Sequence, residues 1–188
     1  MLFYARGARI LDPCAGIGAM TRQFLEAAPD WEYEVHACEL SQDAYQIFSR
    51  LYPGAKGGYA DVFGRLAVLE GQFNYVIMNP PFGAVAGQET AAQVCVSGAT
   101  SSQHRFLELA VRATAPGGHI VAVAPSRYIE SIPVKAKAWF DERMAVEYQA
   151  PLQNGHFKYA KGIAVDGYII HRCNDPLPTG QIDLFELT

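Results

Sequence analysis

Along nearly its whole length the chain alternates short apolar runs with longer amphipathic ones. A short run rich in Val, Ile and Tyr suits a strand buried on both faces, and such strands lie side by side only when crossover helices join them. The pattern therefore predicts an α/β domain, a mostly parallel sheet wrapped by helices. Strands fall near Arg9–Leu11, Val35–Glu39, Gly58–Tyr59, Tyr75–Asn79, His119–Ala124, Val146–Ala150 and Ala164–His171. Helices fit at Ala19–Ala28, Ser41–Tyr52, a short one near Phe63–Leu69, Ser102–Ala115 and Val134–Arg143. In the fourth of these, Phe106, Leu107, Ala110, Val111 and Thr114 share one face, and Pro116-Gly117-Gly118 stops it.

Two segments break the alternation. Gly83–Thr100 has no strong periodicity and reads as a long loop of the kind that covers a functional site. Asn174–Gly180, with Pro176, Pro178 and Gly180, reads as a linker. Residues 1–174 are thus expected to form one domain and 175–188 a tail. With 188 residues, 50% of them hydrophobic, the chain can bury a single core.

Fifteen Lys and Arg against nineteen Asp and Glu leave a net charge of −4, so the chain as a whole lacks the field of a protein that grips nucleic acid unaided. Basic residues nevertheless outnumber acidic ones between His104 and Arg172, and Arg127, Lys158 and Lys161 beside strand ends are candidates for phosphate contact. Cys14, Cys38, Cys95 and Cys173 are too far apart for a Cys-x-x-Cys pair and read as reduced thiols of a cytoplasmic protein. No segment approaches the ~18 apolar residues needed to span a bilayer, so no membrane partner is expected. His36 and His119 lie within strands, and His104, His156 and His171 have no carboxylate or cysteine at ligand spacing, so no metal is assigned. Tyr128, Trp139 and Phe157 read as core aromatics.

The chemistry concentrates at strand ends. The first strand runs into Asp12-Pro13-Cys14-Ala15-Gly16-Ile17-Gly18, whose glycines allow a tight turn and close approach of a ligand to the main chain. Thr21 stands where a third glycine of the dinucleotide fingerprint would fall, and Asp12 would repel a pyrophosphate but not a cationic, amino-acid-bearing ligand. Glu39 closes the second strand, about 20 residues on, where a carboxylate can accept from both ribose hydroxyls. Asp61, in Ala60-Asp61-Val62-Phe63, either accepts from an adenine amine or caps a helix. The fourth strand enters Asn79-Pro80-Pro81-Phe82. Two prolines hold the backbone extended and remove two donors, so the Asn79 side-chain oxygen and the Pro80 carbonyl can accept together from one –NH2 group. Phe82 offers a face for a planar ring.

In these motifs the chain resembles the class I S-adenosylmethionine-dependent methyltransferases, and among them the amino-methyltransferases typified by adenine-N6 DNA methylases. Pro116–Ser126 looks like their fifth strand and Gly162–Ile170 like their closing hairpin. The resemblance implies a Rossmann-like three-layer fold with a seven-stranded sheet in the order 3-2-1-4-5-7-6, the last strand antiparallel. It implies Asn79, Pro80, Pro81 and Phe82 as catalytic residues. It implies that Asp12, Pro13, Cys14, Ala15, Gly16 and Gly18 hold S-adenosylmethionine together with Glu39, Leu40, Asp61, Val62 and Asn79. The expected partner is nucleic acid, DNA first. Only about eight residues precede Arg9, where the family usually has a helix, and no block resembling a target-recognition domain follows Asn174. Those parts are expected from a longer polypeptide or from a partner. Guanine-N2 transfer to RNA, glutamine-N5 transfer to protein, and a non-catalytic scaffold stand as alternatives. Phe82 followed by Gly83 favours adenine.

Overall fold

Two strands, β1 (Ala8–Asp12) and β4 (Phe73–Met78), are buried almost throughout. Their side chains alternate between two cores: Ile10, Tyr75 and Ile77 enter one, Leu11, Val76 and Met78 the other. A strand buried on both faces belongs at the centre of a layered sheet. The computed structural model describes residues 7–27, 29, 32–82, 88–152 and 164–173. In it β2 (Tyr33–Glu39), β3 (Lys56–Tyr59), β5 (Thr114–Pro125), β6 (Met144–Pro151) and β7 (Val165–Arg172) complete a seven-stranded sheet. Its order is β3-β2-β1-β4-β5-β7-β6, and β7 runs antiparallel to both its neighbours while the other pairings are parallel. This is the topology expected from the sequence.

On one face, α1 (Ala19–Ala27) lays Met20, Phe24 and Leu25 against β1 and β4, and α2 (Gln42–Leu51) lays Phe48 against Ala15 and Ala37. The opposite face carries the larger core, beneath a 3-10 turn (Val62–Arg65), α3 (Leu66–Leu69), α4 (Gln88–Val94), α5 (Ser102–Ala113) and α6 (Val134–Asp141). Ser41 and Ser101 cap α2 and α5, each side chain accepting a backbone N–H in the first turn at 3.3 Å. Tyr128 is core, as expected, its hydroxyl donating to the Gln103 carbonyl at 2.9 Å. Trp139 packs against the same core and under the Arg143 guanidinium. All four cysteines are unpaired, and no described helix is long and apolar enough to cross a membrane.

The structure corrects two expectations. Gly83–Thr100 is not a uniform loop, since it contains α4, which buries little beyond Ala91 and Val94, too few apolar positions to show as a period. Pro116-Gly117-Gly118 does not terminate the preceding helix either. That helix ends at Ala113, and the three residues lie inside β5, where the register with β4 shifts between the Phe73–Thr114 and Tyr75–His119 pairs. The tail 175–188 and the residues His156, Phe157, Lys158 and Lys161 lie outside the described residues.

A buried carboxylate fastens the α4 segment to the core. Glu108 on α5 is fully buried and accepts from the backbone N–H of Val96 at 2.6 Å and of Ser97 at 3.0 Å. Arg112, one turn on, stands 3.6 Å from it and also donates to the Val94 carbonyl and to Glu70. Replacing Glu108 by Ala strands two backbone donors and removes the anion beside Arg112, so it is expected to lower the unfolding free energy by about 3 kcal/mol in urea denaturation.

Candidate cofactor and amine site

The strand order reverses at β1, which has β2 on one side and β4 on the other. The crossovers from these strands diverge there and leave a crevice at the carboxyl ends of the sheet, where open α/β folds take their ligands. Asp12, Glu39, Asp61 and Asn79 stand at or just beyond the ends of β1, β2, β3 and β4.

Between β1 and α1 the backbone turns through Gly16 (φ +54°) and Gly18 (φ +95°), both left-handed. A side chain at Gly18 would strike the rings of Tyr52 and Phe48, whereas one at Gly16 would project into open space. The space beside Gly16 is thereby left open. Glu39 holds this turn in place: one carboxylate oxygen accepts from the Gly16 N–H at 2.7 Å, the other from the Ser41 N–H at 2.7 Å.

Asp12 lies beneath the turn, 1% exposed, with one oxygen accepting from the Thr21 hydroxyl at 2.8 Å and the other without a partner. Burial, partly offset by the Thr21 bond and reinforced by the Glu39 charge, pushes its carboxyl up to about 7. The neighbouring Cys14 thiol is driven well above its usual range, first by burial and then by Asp12, so it stays protonated. Asp61 caps the 3-10 turn, its Oδ1 accepting from the Phe63 N–H at 3.0 Å, a bond that leaves the second oxygen uncommitted to the cap.

A cavity of about 250 Å³ opens between these elements. Its lining includes Pro13, Cys14, Glu39 and Leu40, then Asp61 and Val62, and, from the motif after β4, Asn79 and Pro81. Asn79 Oδ1 is buried and accepts no hydrogen bond. Seven of the residues expected to hold the cofactor are thus brought together; Asp12, Ala15, Gly16 and Gly18 belong to the turn and do not line the cavity. Of the expected catalytic set, Asn79 and Pro81 line it, Pro80 is buried, and Phe82 is half-buried outside the lining. Ala60, Phe63 and Phe106 line it without having been expected. Phe63 directly follows the Asp61-Val62 motif, and its ring meets Phe106 edge-on at 5.0 Å. Phe106 comes from α5, where it reads as an ordinary core position. Arg127 is exposed after β5, as a phosphate contact requires.

A seven-stranded sheet of this order, with a glycine turn after β1 and acids closing β2 and β3, is the class I S-adenosylmethionine-dependent methyltransferase fold. The sequence matches the model of the methyltransferase small domain over residues 2–131, and the chain belongs to that family. No curated protein sequence matches it significantly. Among solved structures it is similar to a class I methyltransferase of Listeria monocytogenes, with a TM-score of 0.72 and 17% identity over 95% of this chain and 57% of that one. The M protein of the type I restriction enzyme EcoKI gives 0.63 and 16%, over 88% of this chain and 40% of that one. A Pyrococcus horikoshii protein described as an RNA methyltransferase gives 0.60 and 19%, over 90% and 77%. The chain spans about half the length of the first two.

The residues present fit S-adenosylmethionine. Asp12 and Asn79 each offer a buried oxygen without a hydrogen-bond partner, the open space beside Gly16 admits a close approach, and Val62, Phe63 and Phe106 make an apolar slot for a planar base.

Because the Asp12 carboxyl titrates near 7 in the folded chain and near 3.8 as a free side chain, the native state holds its proton more tightly. Stability contributed by that proton is present at low pH and lost as pH rises between these values. From about pH 5 to about pH 8 the wild type is expected to lose ~3 kcal/mol more unfolding free energy than Asp12→Asn, measured by urea denaturation at both pH values.

Proposed function

We propose that this chain is the catalytic core of a methyltransferase acting on an exocyclic amine, with N6 of adenine in DNA as its target. The observation that carries the reading is Asn79, which lines the cavity and whose buried side-chain oxygen has no hydrogen-bond partner, in a double-proline segment that cannot turn helical. S-adenosylmethionine, when bound, supplies an electrophilic methyl group on a sulfonium. Glu39 would accept from its ribose hydroxyls and Asp61 from its adenine amine, while the acceptors at Asp12 and the turn backbone take the methionine end.

The chain's own part in the transfer is positioning. The Asn79 oxygen and the Pro80 carbonyl accept from the two N–H groups of the target amine, drawing its lone pair out of the purine ring and along the line of attack. Phe82, at the rim, stacks on a base that has been extruded from its duplex. Cys14, kept protonated, takes no nucleophilic role. The excess of acid on the cofactor side and the exposed Arg127 beyond it favour a substrate held partly by other chains or domains. On this reading residues 1–174 are the catalytic domain and 175–188 lead away from it.

Asn79→Ala is expected to lower methyl transfer roughly 10²–10³-fold while weakening S-adenosylmethionine binding, read by calorimetry, far less. Unchanged transfer would remove Asn79 from the mechanism. Incubation with labelled cofactor and, separately, DNA, RNA or protein identifies the target: label recovered as N6-methyladenine supports the proposal, and label in guanine of RNA or in glutamine replaces it with one of the sister activities.

A further inference from the structure

His119 on β5 and His171 on β7 are direct cross-strand partners, with ring centroids 5.2 Å apart. Next to them β6 carries a bulge. Val146 opposes Ile170 and Tyr148 opposes Ile169, so Glu147 is an extra residue with no partner of its own on β7. A bulge re-aims a side chain that regular pleating would send elsewhere. Here the Glu147 carboxylate comes within 3.3 Å of His119 Nε2 and 4.0 Å of His171 Nδ1.

Two features make this more than a surface ion pair. The ligating atoms of all three residues lie within 4.8 Å of one another. In a tetrahedral zinc site with bonds of about 2.1 Å, neighbouring ligand atoms stand roughly 3.4 Å apart, a spacing that the His119–Glu147 edge already has. His171 Nδ1 is buried and has no hydrogen-bond partner.

The position separates the cluster from methyl transfer. His119 pairs with Tyr75, near the start of β4, whereas Asn79 follows the end of that strand. The cluster therefore sits toward the opposite end of the sheet from the crevice. We propose that His119, Glu147 and His171 form a binding site for a divalent transition-metal ion, zinc being the best match to a two-imidazole, one-carboxylate set, with water in the fourth position. The ion would clip three strands at the antiparallel edge of the sheet, where β6 is exposed along most of its length.

The test uses the full chain after treatment with a chelator, with Co²⁺ as an optical probe. One Co²⁺ per chain with the strong visible bands of tetrahedral coordination is expected, displaced by Zn²⁺, and Zn²⁺ is expected to raise the melting temperature. Glu147→Gln and His171→Ala should each weaken Co²⁺ binding by at least roughly tenfold, the low end of what loss of even an outer partner costs. His36→Ala, on β2, where its imidazole pairs with Glu34 of the same strand, should leave it unchanged. Glu147 is half-exposed, so its variant is expected to fold, and a cofactor-binding titration checks that it has. Absence of the tetrahedral bands, or wild-type affinity in both variants, overturns the proposal.

Discussion

Everything at the ligand-binding end of the sheet depends on where the Glu39 carboxylate sits. By accepting from Gly16 and from Ser41 it ties the turn that begins α1 to the turn that begins α2. Those turns follow adjacent parallel strands, and nothing in strand pairing alone fixes how they approach each other beyond the strand ends. Charge-assisted bonds to backbone N–H groups are short and directional, so one side chain sets the spacing of two loops. The crevice between them then inherits its width from a residue that also faces it. Tyr52, bonded to the Gly18 carbonyl from α2, reinforces the same junction.

Most of the architecture was readable from apolar runs because the central strands are buried on both faces and carry little polar alternation. Phe73–Met78 and Ile120–Ala124 are examples. What escaped reading had local signals weaker than its tertiary ones. The helix α4 is held largely from outside, by Glu108 and Arg112 on α5, and shows too few apolar positions to carry a period. The start of β5 at Thr114 was hidden by a Pro-Gly-Gly sequence that reads as a stop but serves as an irregularity within a strand. At the site, the strand-end acids and the Asn79 motif announced themselves by residue type and order. Phe106 did not, since a helix residue that contacts a cavity looks like any other on a buried face. The proximity of His119, Glu147 and His171 depends on antiparallel pairing and a bulge, neither of which spacing along the chain reveals.

Buried charge is used here in two opposite ways. Glu108 is fully enclosed yet supplied with two backbone donors and a nearby guanidinium, and it fastens a segment. Asp12 is nearly as enclosed but has only the Thr21 hydroxyl on one oxygen and nothing on the other. The first arrangement is complete in the free protein. The second leaves one oxygen short of a donor, and burial outweighing the hydrogen bonds from Thr21 and Cys14 is why its carboxyl titrates so far from its ordinary value.

The same shortage at Asn79 bears on discrimination. A buried oxygen without a donor carries a standing penalty of about 1–3 kcal/mol, which only a guest bringing N–H groups can relieve. A ring presenting a carbonyl at that point would set acceptor against acceptor and deepen the penalty. Under the proposed function the pocket would thus reject keto bases such as thymine by repulsion, and would do so without any wall shaped to exclude them.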